Sequence, residues 1–89
     1  MRKRERMEIV YDILFSVLNR RGKMKPTQLM TKANLSYKMM NEYLDDLVEK
    51  SLVSRKKRNQ HQYLEITDKG RDFIEKVIKM KRFKETIGI

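Results

Sequence analysis

Four basic residues in succession, Arg55, Lys56, Lys57 and Arg58, are the densest charge in the chain, and Asn59, Gln60 and His61 follow them directly. Such a run offers ammonium charges and guanidinium forks to phosphate oxygens, and amides to base edges. On a β-hairpin alternate residues point to opposite faces, so only part of the run meets one polyanion at a time. The same residues also suit a solvated hairpin whose lysines discourage edge-to-edge pairing. A second group, Ser36, Tyr37, Lys38, Asn41 and Glu42, has the spacing of one outward helix surface. Asparagine pairs bidentately with adenine, lysine reaches guanine or phosphate, and glutamate accepts from cytosine. Asp45, Asp46 and Glu49 follow, and their charge repels phosphate. Thr27 and Gln28 begin a further short element, with Lys23, Lys25 and Lys32 nearby.

Whole-chain charge points the same way. Twenty-two basic residues outnumber twelve acidic ones, a formal net charge of +10 over 89 residues. An excess of this size on a small domain favours polyanions, of which nucleic acid is the commonest. There is no cysteine and a single histidine, His61. Disulfides, thiolate metal sites and multi-histidine sites are therefore excluded. Three glycines are too few for a phosphate-binding loop, and no nucleophile stands beside a base in sequence. No enzymatic activity, cofactor or metal is expected. No apolar run reaches the roughly 18 residues of a membrane span. The basic start, Arg2-Lys3-Arg4, is not followed by an uninterrupted apolar segment, so a secretion signal is not expected. A cytoplasmic protein associated with the nucleoid is the expectation.

Periodicity supplies the elements that must position these groups. Met7, Val10, Ile13, Leu14, Val17 and Leu18 step by threes and fours, predicting a helix from about Arg4 to Arg21 with Gly22 as its C-terminal cap. Pro26 suits a helix start, and a short helix to Ala33 turns Leu29, Met30 and Ala33 inward. Asn34 and Leu35 break it. Ser36 caps a third helix, Tyr37 to about Lys50, with Met40, Leu44, Leu47 and Val48 inside. Leu52–Arg55 and Gln62–Ile66 read as strands, with Lys56 to His61 between them and Asn59 as turn residue. Thr67 caps a final helix to about Lys84, in which Gly70 is a weak point. Phe73, Ile74, Val77, Ile78 and Met80 continue it inward, and Glu85 to Ile89 fray. With 89 residues, no repeat and no linker, one domain is expected over residues 1–89, its core spanning about 7–74.

The order helix, helix, helix, hairpin, helix resembles a winged helix-turn-helix domain, mainly α with a β-hairpin. The stretches that carry the likeness are Pro26-Thr27-Gln28-Leu29-Met30, Leu35-Ser36, Tyr43-Leu44-Asp45-Asp46-Leu47-Val48-Glu49-Lys50-Ser51-Leu52-Val53 and Tyr63-Leu64-Glu65-Ile66-Thr67-Asp68-Lys69-Gly70. They cover most of residues 7–74. The chain is similar to small archaeal winged-helix DNA-binding proteins in ERMEIVYDIL and KANLSYKMMNEYLDDLVEKSLV. Comparable winged helices occur among multi-antibiotic-resistance-type and phenolic-acid-type repressors. Ser51 departs from the pattern, which prefers glycine at a positive-φ position.

The resemblance implies double-stranded DNA as partner, a transcriptional or chromatin-associated role, and a homodimer. Its DNA-binding residues would be Thr27, Gln28, Ser36, Tyr37, Lys38, Asn41, Arg55, Lys56, Lys57 and Arg58, with Arg58 at the wing tip entering the minor groove. The resemblance also implies an extended C-terminal helix pairing in an antiparallel coiled coil. Phe73, Val77, Met80, Lys84 and Ile87 step by fours and threes as such a seam would, and Phe73, Val77, Met80 and Ile87 are its apolar members. The competing arrangement packs that helix on its own domain. The acidic patch of Glu42, Asp45, Asp46 and Glu49 supports a different class of function, a protein-interaction module without direct DNA binding. Arg2 to Arg6 form a candidate basic arm.

Overall fold

The computed structural model describes residues 5–86 and 88, the Glu85 side chain excepted. The expected arm residues Arg2 to Arg4 and the seam residue Ile87 lie outside the described residues.

Helix α1 spans Arg6–Asn19 and buries Ile9, Val10, Ile13, Leu14 and Val17. Met7, expected inward, is 56% exposed, and Ile9 takes the inner position instead. Ile9 is one turn before Ile13, whereas Met7 lies in the first turn, where the helix has not yet met the core. The helix closes with a Schellman arrangement, the Gly22 N–H donating to the Val17 carbonyl over 3.0 Å. Its first left-handed residue is Arg21 (φ 60°), not the expected Gly22, which follows at φ 83°. Gly22 is needed for a second reason. It lies against the sheet, where a Cβ would stand 3.2 Å from Ile66 Cγ2, and its carbonyl accepts from the Ile66 N–H over 2.8 Å.

Strand β1, Lys23–Met24, has no counterpart in the sequence reading, because a two-residue strand carries no periodicity of its own. Helix α2 covers Pro26–Ala33 as expected and begins on Pro26. The Lys25 N–H donates to Gln28 Oε1 over 3.1 Å, so Gln28 serves the helix start. Asn34 takes the left-handed conformation (φ 53°) and separates α2 from α3, Tyr37–Glu49. Ser36 Oγ accepts from the Met39 N–H over 3.2 Å, the predicted cap. Met40, Leu44 and Leu47 are buried on α3, with Val48 half-buried.

Ser51 ends α3 at φ 62°, and the Leu52 N–H donates back to the Leu47 carbonyl over 2.9 Å. A non-glycine residue in this region costs roughly 1–2 kcal/mol. Glycine regains most of that cost while loosening the unfolded chain. Ser51→Gly is therefore expected to raise stability by about 0.5–1 kcal/mol, read as a higher urea midpoint at unchanged m-value.

Strands β2, Val53–Arg58, and β3, His61–Ile66, pair antiparallel from Val53↔Ile66 out to Arg58↔His61. Lys56 to Arg58 and His61, expected in a connection, are thus strand residues. The turn is only Asn59–Gln60, both at positive φ (50° and 67°), the geometry that matches strand twist in a tight hairpin. β1 adds to the other edge of β3, through Lys23↔Glu65 and Met24↔Leu64, giving the order β1-β3-β2.

Helix α4, Asp68–Thr86, runs slightly past its expected end. Thr67 caps it as predicted, its Oγ1 accepting from the Gly70 N–H over 2.9 Å and donating to the Ser51 carbonyl over 2.6 Å. Gly70 is not a weak point. It is buried, and a Cβ there would overlap the Leu52 carbonyl oxygen and stand 3.0 Å from Ile66 Cγ1. Helices α1, α2 and α3, the sheet and Ile74 of α4 share one apolar cluster. Phe73 and Ile78 pack at its margin.

Candidate nucleic-acid interface

The N-terminal half of α3 is built as an outward surface. Ser36, Tyr37, Lys38, Met39 and Glu42 are exposed, Tyr37 at 68%, and Asn41 is half-buried beside them. Met40 and Leu44 hold this half from below, both essentially buried. The Ser36 hydroxyl is committed as a cap acceptor, so its free capacity is its proton. Tyr37, Lys38 and Asn41 keep functional atoms at the surface.

Two acids of the second half of α3 are neutralised within the chain. Asp45 Oδ1 accepts from Arg55 over 2.7 Å, and Asp46 Oδ2 accepts from Arg6 over 2.6 Å and from Lys50 over 3.0 Å. The Arg6 guanidinium also stands over the Tyr43 ring, 5.1 Å from its centroid. These pairs are solvent-accessible and contribute little to stability individually. Their effect is on field and geometry: they cancel two negative charges beside the candidate interface, and Arg55 ties the hairpin to α3. The sequence offers Arg55 as a DNA-binding residue; its pairing with a residue ten positions away depends on the fold.

The hydrogen bond from the Lys50 ammonium, helped by its charge and by the Arg6 guanidinium, holds the Asp46 carboxyl below the usual carboxylate range, outweighing the opposing effect of desolvation. A lowered folded-state pKa stabilises the native chain above the unfolded value, about 3.9. That contribution is lost as pH falls through the folded value. Asp46→Asn is expected to remove this part of the acid-side dependence, measured by urea unfolding as a function of pH.

The wing divides its charge between faces. Leu64 and Ile66 point into the core, so their partners across the ladder, Arg55 and Val53, share the inner face with Lys57. Lys56 and Arg58 share the outer face with Tyr63 and Glu65. All four basic residues are exposed. The single run read from the sequence is therefore two half-runs.

Thr27 and Gln28, with Arg20, Thr31 and Lys32, line a shallow depression of about 400 Å³ at the start of α2. Arg20 completes a group that sequence spacing left incomplete. On α4, Phe73 and Val77 are half-buried, whereas Met80 is 60% exposed. Phe83, absent from the predicted seam, is 63% exposed and lies one turn from Met80. Lys81 places its ammonium 3.7 Å from the Tyr11 ring centroid and so holds this part of α4 to α1. Among the described residues no group of His, Cys, Asp and Glu could hold a metal, and no helix is long and apolar enough to cross a membrane.

Three helices, a capped turn before an exposed third helix, and a basic hairpin define a winged helix-turn-helix. The winged helix-turn-helix family model matches residues 3–85, and the chain belongs to that family. It is similar to the DNA-binding protein Sso10a-2 from Sulfolobus solfataricus, at 30% identity over 94% of this chain and 85% of that one, TM-score 0.77. F93 from STIV, a winged-helix DNA-binding protein, aligns over 96% of both chains at 18% identity, TM-score 0.78. A MarR family transcriptional regulator from Silicibacter pomeroyi shares the fold at 22% identity and TM-score 0.72, over 88% of this chain and 56% of that one. No curated protein sequence matches the chain.

Proposed function

We propose that this chain binds double-stranded DNA as a regulator of transcription. The N-terminal half of α3 enters the major groove, and the hairpin follows the backbone toward the minor groove. The observation that carries this reading is the row of exposed Tyr37 and Lys38 with half-buried Asn41 beside them, flanked by the basic hairpin and held on a buried Met40–Leu44 base. Two similar structures being DNA-binding proteins supports it. Asn41 and Lys38 read base edges, Tyr37 packs on the sugar-phosphate wall, and Thr27 and Gln28 meet phosphate from α2. Lys57 tracks the backbone, and Arg58, beside the turn, is placed to enter the minor groove. Lys56 adds to the field. The protein-interaction alternative loses ground, since Asp45 and Asp46 are already paired within the chain.

Selection of bound fragments from random duplex DNA at two salt concentrations tests this reading. An enriched palindrome is expected for a regulator; strong salt-sensitive binding without enrichment would mark a chromatin-packaging protein instead. Binding that ignores salt would defeat the electrostatic mechanism altogether. The reading implies a cytoplasmic, nucleoid-associated protein.

The same reading includes a homodimer, because paired half-sites call for two-fold symmetry. Exposed Met80 and Phe83 on α4, continuing from half-buried Phe73 and Val77, support a seam along that helix. Sedimentation at tens of micromolar, an order at which a functional dimer is populated, is expected to give twice the chain mass. A strict monomer there ends the dimer model.

A further inference from the structure

The outer face of the sheet is a second charged surface, turned away from α3. Strand alternation sets Lys56, Arg58, Tyr63 and Glu65 opposite Arg55, which Asp45 ties to α3. Lys23 of β1 joins them, in register with Glu65. With Lys57 these residues line an open depression of about 350 Å³. Tyr63 is half-buried within it, and the Lys25 ammonium lies 5.9 Å from its ring centroid. Glu65, also half-buried, brings one carboxylate among the cations.

This combination selects among polyanions. A duplex satisfies the lysines, but its bases are stacked and present no ring face to Tyr63. An acidic peptide also suits the lysines, but its side-chain carboxylates are repelled by Glu65 and offer that carboxylate no donor. A lipid surface needs apolar residues, and Tyr63 is the only aromatic side chain in the lining. An unpaired nucleotide chain meets every group at once. Its phosphates suit the ammonium groups, an unstacked base suits the tyrosine ring, and an exocyclic amine on that base can donate to a carboxylate.

We propose that the outer face of the sheet binds single-stranded nucleic acid, with one base against Tyr63, its amino edge on Glu65, and the flanking phosphates on Lys23 and Lys56. This goes beyond the duplex reading and can fail separately from it, because Tyr63 and Glu65 have no part in the duplex surface.

The test is fluorescence anisotropy of the full chain with labelled single strands of about ten nucleotides, within the footprint of small single-strand sites, and with a labelled duplex. Tyr63→Leu is expected to weaken single-strand binding about tenfold, the loss typical of one stacked base. Tyr63→Phe should restore it, and duplex binding should not change in either variant. Oligo(dC) should bind about fivefold better than oligo(dT), which has no exocyclic amine, and Glu65→Ala should erase that preference. Single-strand binding indifferent to Tyr63→Leu would overturn the proposal. If Tyr63→Leu does not fold, the dC preference and its loss in Glu65→Ala decide, and equal binding of dC and dT refutes the site.

Discussion

Gly70→Ala is expected to destabilise the chain by about 3–5 kcal/mol, the range of severe single substitutions. Helix propensity alone forecasts the opposite sign, since alanine is better than glycine inside a helix by about 1 kcal/mol. Packing decides the outcome. The new Cβ would overlap the Leu52 carbonyl oxygen and come within 3.0 Å of both Leu52 C and Ile66 Cγ1. A carbonyl held by a backbone bond from Thr67 cannot swing aside as a flexible side chain could. Relief requires moving the start of α4, which breaks the Thr67 bridge to Ser51 and Gly70 and lifts Ile74 from the core. For a domain of this size the loss corresponds to a Tm lower by about 15–30 °C. Thermal and urea denaturation measure it, and a variant as stable as the parent would show that α4 does not dock as described.

Asn41→Ala and Arg58→Ala are expected to damage DNA binding in different ways. In the proposed complex half-buried Asn41 lies on the half of α3 that enters the groove, so its loss should cost about 1–3 kcal/mol on a selected site. That is roughly tenfold to a hundredfold in affinity, and random duplex should bind almost as before. Arg58 is exposed beside the hairpin turn, where a guanidinium meets phosphate or a narrow minor groove. Removing it should weaken selected and random duplex by the same factor and reduce the slope of log affinity against log salt by about 1. Titrations at several salt concentrations separate the two patterns. If Asn41→Ala weakened all sequences equally, α3 would be a backbone-binding helix and the base-reading assignment would fall.

Caps and turns were the most legible part of this chain. Ser36, Asn34 and Thr67 announce helix boundaries because each acts on backbone groups within a few residues of itself, and each does so in the structure. Pro26 marked the start of α2 for the same local reason. Ser51 was legible as a strained position only by likeness to a pattern that prefers glycine; its φ of 62° bears that out. The α1 stripe was nearly right, and the exchange of Met7 for Ile9 reflects where the helix first meets the core rather than its periodicity. β1 was illegible, since its two residues become a strand only by pairing with β3.

The candidate interface was legible as a set of residues but not as a surface. That Tyr37, Lys38 and Asn41 share one side of a helix follows from 3.6-residue spacing. That the Arg55 to Arg58 run splits across a hairpin follows from alternation, once the register is known. The pairing of Arg55 with Asp45, the gathering of Lys23 and Lys25 around Tyr63, and the closeness of Arg20 to Thr27 do not follow from spacing at all.

Composition and periodicity are enough for the class of fold and the sign of the partner, because both depend on sums. Apolar periodicity accumulates along each helix, and 22 basic residues against 12 acidic ones carry a net charge of +10 whatever shape the chain takes. Which charges remain free, and what Gly70 is for, depend on the folded arrangement. Those are matters of distance between residues far apart in the chain. An aspartate a few ångströms from an arginine cancels it locally, and a carbonyl against a glycine leaves no room for a methyl group.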